Sequence, residues 1–124
     1  MAHIWPIGGG KGGSGRSFLT SSLGQLWAAL GKKTLVIDLD LGAANLHTLV
    51  GVPEPPKGFS DFIHKKISRL EEAVMETPFE NLFLISGAHG YFDIADLSYE
   101  QKIETLRAIT QLDYDRILLD LGAG

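Results

Sequence analysis

The sequence contains no cysteine. That excludes disulfides, a thiolate nucleophile and any cysteine-ligated zinc or iron–sulfur centre. The N-terminus lacks the basic start and long apolar stretch of a signal peptide, and no apolar run is long enough to span a bilayer. A cytoplasmic location is therefore expected. Charge of neither sign dominates: 11 Lys and Arg stand against 15 Asp and Glu, a net charge of -4. Non-specific affinity for nucleic acid rests on Lys and Arg neutralising phosphates, so this segment is not expected to carry a DNA-binding face. No internal repeat and no low-complexity tract is present. His3, His47, His64 and His89 show no ligand spacing and read as surface or loop residues. Lys65, Lys66 and Arg69 read as a solvated helix face, and Trp5 and Trp27 as core.

What the chain does have is glycine, 15 residues of 124, with five of them among the first thirteen. The remaining balance, 44% hydrophobic and 21% charged, is that of an ordinary globular domain.

Hydrophobic periodicity predicts alternating strands and helices. His3 to Ile7 reads as a first strand, although Pro6 cannot donate to a ladder. A helix is expected from Ser17 to Leu30, with Leu19, Leu23, Leu26, Trp27 and Leu30 as its core-facing stripe and Gly31 as its stop. Thr34 to Ile37 reads as a buried strand, 42–50 as weakly helical, and Pro53, Pro55, Pro56 and Gly58 as a loop. Ser60 and Ser68 read as N-caps, the latter in a capping box with Glu71 that opens a helix running to about Met75, before Pro78. Leu82 to Ile85 is a third strand. Ser98, with Gln101 three residues on, opens a helix striped by Ile103, Leu106, Ile109 and Leu112, and Ile117 to Leu119 is a fourth strand. This order predicts an α/β fold: a parallel sheet with helices on both faces. Ligands of such sheets sit at the carboxyl ends of strands. The chain stops just after one, so residues 1–124 are expected to be the N-terminal portion of a single domain, incomplete past its last strand.

Gly10-Lys11-Gly12-Gly13-Ser14-Gly15-Arg16-Ser17 follows the first strand and opens the first helix. The spacing is that of a phosphate-binding loop, G-x-x-x-x-G-K-[ST], with Arg16 in place of the usual lysine. Glycines let backbone N–H groups converge on phosphate oxygens, and the following helix turns its positive end toward the anion. The Ser17 hydroxyl is placed to ligate magnesium, and Phe18 completes the candidate cofactor-binding run. Taken alone, the same residues fit a flexible turn ahead of a helix. Asp38, Asp40 and Asp120 fall at the carboxyl ends of predicted strands, as carboxylates facing a metal or its waters must. Asp40 also suits an N-cap, and Asp120 a solvated strand end.

Together these residues resemble the MinD/ParA family of deviant Walker A ATPases. Lys11 to Ser17 reads KGGSGRS against the family's K-G-G-x-G-K-[ST]. The stretch GKKTLVIDLDLGAANLHTLVG is similar to the MinD and FlhG branch, and the terminal DLGAG resembles the switch II motif after the Walker B strand. The likeness runs the whole length of the chain and implies a P-loop NTPase fold with bound ATP and Mg2+. It implies that Lys11 reaches across an ATP-sandwiched homodimer to the partner's phosphates. Gly12, Gly13, Ser14 and Gly15 would cradle the nucleotide and Ser17 would bind magnesium. Asp40 would position the attacking water, Asp38 support the metal shell, Asp120 hold magnesium through water, and Asn45 sit in switch I. Hydrolysis would proceed by positioning and charge neutralisation, with no covalent intermediate, and a protein partner would stimulate it. The implied role is a nucleotide-dependent switch in division-site, flagellar or partitioning placement. Membrane or DNA contact, and a peripheral position at the membrane, would come only through a later part of the protein.

Arg16 departs from the family loop. It is longer and planar where lysine is a compact point charge, so nucleotide binding is expected to survive better than hydrolysis. A degenerate nucleotide-binding module is therefore one alternative. A biosynthetic relative, such as a cobyrinic-acid amidating or dethiobiotin-forming synthetase, is another.

Overall fold

The computed structural model describes residues 3–8, 13–39, 46–53, 57–87 and 97–121, with only the backbone of residues 13 and 14. Within them, five strands form one sheet in the order β1-β5-β2-β4-β3. The strands are β1 (His3–Ile7), β2 (Thr34–Leu39), β3 (Val74–Glu76), β4 (Leu82–Ile85) and β5 (Arg116–Leu121). Neighbours pair in parallel except β3, which runs antiparallel to β4 at one edge.

The central strands are the most apolar. All six residues of β2 are buried, as are the inner four of β5, the pattern of strands covered on both faces. Side chains alternate across the sheet. Val36, Leu84 and Leu118 pack on one face with Leu46, Val50 and Ala28, under α1 (Gly13–Ala29) and α2 (Leu46–Leu49). Leu35, Ile37, Ile85 and Ile117 pack on the other with Phe59, Leu70 and Ile109. That face lies under α3 (Phe59–Ile63), a 3-10 turn (Leu70–Ala73) and α4 (Tyr99–Thr110). None of the described helices is long and apolar enough to cross a membrane.

Helix α1 corrects the sequence reading in two ways. It starts at Gly13 rather than Ser17, and it is rotated away from the expected stripe. Its buried side carries Arg16, Ser17, Thr20, Ser21, Gly24 and Ala28, while Leu19, Leu26 and Leu30 are 54%, 56% and 67% exposed. The reason is packing distance. A Cβ on Gly24 would lie 2.9 Å from Val36 Cγ1 and 3.2 Å from Leu82 Cδ1, so only a small residue lets the helix axis come this close to the sheet. Leu19, Leu26 and Leu30 turn outward, while Leu23 and Trp27 of the expected stripe are half-buried against this side of the core. Leu26→Lys and Leu30→Lys are accordingly expected to change stability by no more than about 0.5 kcal/mol. A urea-denaturation loss several times larger would restore the leucine stripe to the core.

Gly31, at φ +86, ends α1 as expected. The Gly31 N–H donates to Ala28 O and the Lys32 N–H to Trp27 O, both at 3.0 Å, the two bonds of a Schellman cap.

Four further expectations change. Trp5 is exposed: β1 is an edge strand among the described residues, and Trp5 rests on Trp27 at 5.3 Å between ring centroids. Ser60 does not cap α3 but lies buried inside it; Gly58 is the N-cap, its N–H donating to Asp61 Oδ2 at 2.8 Å. A Cβ on Gly58 would meet Ser86 O at 2.8 Å, which excludes any larger cap. Around Ser68 it is Glu72, not Glu71, that accepts from the Ser68 and Arg69 N–H groups. The Arg69 N–H holds the Glu72 carboxyl below its ordinary pKa. The stability this bond contributes is present above the ordinary carboxylate range and fades as pH falls through the lowered value. The expected helix to Met75 is only the 3-10 turn, and Val74 to Glu76 leave it as β3.

The last helix is capped as the sequence indicates: Ser98 Oγ accepts from the Gln101 N–H, and Gln101 Oε1 accepts from the Ser98 N–H. Its stripe holds only at Ile109 and Leu112; Ile103 and Leu106 are exposed and Thr105 is buried in their stead.

Candidate functional site

Strand register sets the site. Ile7 pairs with Asp120, and Asp120 pairs with Asp38. The exit of β1, the end of β5 and the end of β2 therefore lie in one row at the carboxyl edge of the sheet. Asp38 and Asp120 stand two residues beyond Val36 and Leu118, so both side chains emerge on the face covered by α1. Helix α1 begins at that same edge, with Gly13 and Ser14 as its first residues and Gly15, Arg16 and Ser17 completing its first turn.

Both carboxylates are buried, Asp120 completely. Asp120 accepts two hydrogen bonds from the first turn of α1. Arg16 Nε donates to Oδ1 at 2.8 Å and Ser17 Oγ donates to Oδ2 at 2.7 Å. The Arg16 and Asp120 side chains are 3% and 0% exposed. Water cannot screen such a pair, and its worth depends on geometry and on the hydrogen bonds that complete it. Two carboxylates on adjacent strands repel each other in a low-dielectric site; the guanidinium offsets one of the two charges. The backbone carbonyl of Arg16 accepts from Thr20 Oγ1 at 3.0 Å, which fixes the first turn from the far side. Thr20 is a site-supporting residue that periodicity does not single out.

Asp38 has a second task. Its Oδ2 accepts from the Leu46 N–H at 3.2 Å, tying the start of α2 to the end of β2. Ser21 Oγ donates to Leu49 O at 3.3 Å and holds α2 against α1.

The structure brings Arg16, Ser17, Asp38 and Asp120 together. Gly15 lies in the first turn, where an added Cβ would meet nothing within 4 Å. Phe18 is in the same helix but its side chain is exposed, turned away from the carboxylates. Gly10, Lys11, Gly12, Asp40 and Asn45 lie outside the described residues. Among the described residues no group of three or more His, Asp or Glu side chains could hold a metal ion. The oxygen donors at hand, a serine hydroxyl and two carboxylates, are of the kind magnesium takes. As placed, however, they do not fit it: Asp120 already holds the Arg16 guanidinium on Oδ1, and a divalent ion brought beside it would meet that positive charge.

What the arrangement can do follows from its parts. A long helix points its N-terminal N–H groups at the carboxyl edge of the sheet, where a glycine-rich segment leaves β1. That combination binds anions, phosphates above all.

Comparison with known proteins agrees. The family model of the CobQ/CobB/MinD/ParA nucleotide-binding domain matches residues 6–119. The putative septum site-determining protein MinD of Guillardia theta is 34% identical over 125 residues, a match that covers all of this chain and 46% of that protein. Among solved structures, the cell-division ATPase MinD of Pyrococcus furiosus superposes with a TM-score of 0.81 at 30% identity, covering all of this chain and 52% of that one. MinD of Pyrococcus horikoshii, solved as a complex with Mg-ADP, superposes with a TM-score of 0.80 at 31% identity, covering 100% and 50%. The fold is that of these P-loop proteins, and the chain spans about half the length of the relatives it matches.

Proposed function

The chain belongs to the CobQ/CobB/MinD/ParA nucleotide-binding domain family, and from that membership we propose that it is a MinD-type nucleotide switch that holds ATP or ADP at the N-terminus of α1 and hydrolyses ATP slowly. The observation that carries this reading is the convergence of Arg16, Ser17 and Asp120 where β1 exits and α1 begins. The phosphates lie against the backbone N–H groups of 10–15, with the helix dipole behind them. Lys11 reaches the phosphates of a second copy in an ATP-bound homodimer, and Asp40 positions the attacking water. A protein partner stimulates hydrolysis and so releases the dimer. Division-site, flagellar or partitioning placement is the cellular role in this proposal, and the location is cytoplasmic. Any membrane or DNA contact is placed in the part of the relatives' length that this segment does not span.

Slow hydrolysis follows from Arg16. In a phosphate-binding loop the side chain at this position supplies positive charge to the transferring phosphoryl group. Here that charge is directed to Asp120. Calorimetric titration with ADP and ATP tests binding, and a phosphate-release assay beside Arg16→Lys tests turnover. Wild type is expected to bind both nucleotides, and Arg16→Lys to turn over ATP at least about tenfold faster, the scale of restoring one electrostatic contact to the transition state. Equal turnover by the two proteins would remove the role given to Arg16. Absence of binding by folded protein would remove the nucleotide reading.

A further inference from the structure

We propose that Arg16 is a resident cation on Asp120, occupying the carboxylate that would otherwise act on magnesium, so that this chain binds nucleoside diphosphate without help from the metal. The proposal rests on the nucleotide reading above and goes beyond it by specifying the charge state of the ligand the site takes.

Three observations carry it. Asp120 Oδ1 and Oδ2 accept from Arg16 Nε and Ser17 Oγ at 2.8 and 2.7 Å, so the candidate metal-binding hydroxyl and carboxylate are bound to each other and to a positive charge. The pair is sealed, with side chains 3% and 0% exposed, so neither water nor dissolved ions screen it. It is also braced. Arg16 sits in the first turn of α1, whose carbonyl is held by Thr20 and whose close seat on the sheet is enforced by Gly24. With the helix seated this close to the sheet, the backbone from which Arg16 reaches Asp120 is held in place.

A divalent cation brought to this carboxylate meets the repulsion of a permanent charge, since a guanidinium does not lose its proton in a protein. A magnesium ion aids nucleotide binding by bridging phosphate oxygens to protein carboxylates. With Asp120 already neutralised, that bridge has lost the partner it needs on this strand. The phosphates then depend on backbone N–H groups and the helix dipole, which act on bare and magnesium-bound nucleotide alike.

The test is the affinity of the chain for ADP in the presence of excess magnesium and in the presence of EDTA, measured by calorimetry for wild type and Arg16→Lys. The expected result is a wild-type ratio of Kd values within about threefold of unity, and a magnesium benefit of about tenfold or more in Arg16→Lys, the scale of one charge-assisted contact. A magnesium benefit in wild type as large as that expected of the variant overturns the proposal and leaves nucleotide binding intact. Binding by Arg16→Lys alone also overturns it, because Arg16 would then bar the nucleotide and not only the metal. Binding by neither protein, both being folded, overturns the nucleotide reading and this proposal together. Should Arg16→Lys fail to fold, the wild-type ratio decides by itself.

Discussion

Replacing Asp120 with alanine is expected to lower the stability of the unliganded chain by about 3–5 kcal/mol, the cost of removing one member of a buried ion pair. Asp120 is fully buried between two other strands of the sheet and carries no exposed surface through which water could replace it. Its removal takes the counter-charge from a guanidinium that is 3% exposed and the acceptor from the Ser17 hydroxyl. For a domain whose total stability is of order 5–15 kcal/mol, that loss is visible as a large fall in the midpoint of urea denaturation. The double replacement Arg16→Met with Asp120→Leu is expected to recover most of it, since neither member of the pair is then left buried without its counter-charge. A loss below about 1 kcal/mol in Asp120→Ala is what a solvated strand end would give. That outcome would mean the pair is not closed in solution.

Gly24→Leu is the second change expected to cost most, about 1–3 kcal/mol from overpacking. Leucine is the better helix former by close to 1 kcal/mol, so the loss would be a packing effect that outweighs propensity. The first added carbon would lie 2.9 Å from Val36 Cγ1, and the remaining three have no space between α1 and the sheet. Gly15→Ala is the matched control. It lies in the same helix, its Cβ meets nothing within 4 Å, and it is expected to hold or raise stability. Thermal denaturation of the two variants side by side checks the pair; equal behaviour would mean that α1 does not sit at this distance from the sheet.

Much of the fold was legible in the sequence because it depends on local signals. The run TLVIDL is apolar enough to be a central strand, Ser98 with Gln101 is a cap, and Gly31 supplies the positive φ that a helix stop needs. The rotation of α1 was not legible. Its leucines recur at helical spacing, but the buried side is chosen by a tertiary contact, the bond of Arg16 and Ser17 to Asp120, and by the room that Gly24 leaves. The strand β3 was hidden for a similar reason: three residues are too few for a period of two to show, and the Ser68–Glu71 signal read as a helix start opens only a 3-10 turn. Of the candidate site, motif spacing identified Arg16, Ser17, Asp38 and Asp120, and the strand ends placed the carboxylates on one edge. It could not reveal that Arg16 binds Asp120, because a side chain's partner 104 residues away in sequence leaves no trace in spacing.

In the proposed nucleotide switch a phosphate-bearing ligand binds where α1 begins beside Asp38 and Asp120. Following the backbone amide resonances of the chain while ADP is added tests it most directly. The resonances of Gly15, Arg16, Ser17, Asp38 and Asp120 are expected to move together and saturably, while those at the far ends of the same strands, Thr34 and Arg116, stay in place. Saturable shifts confined to the opposite face, around Phe62, Ser68 and Glu104, or no shifts at all from a folded chain, would contradict it.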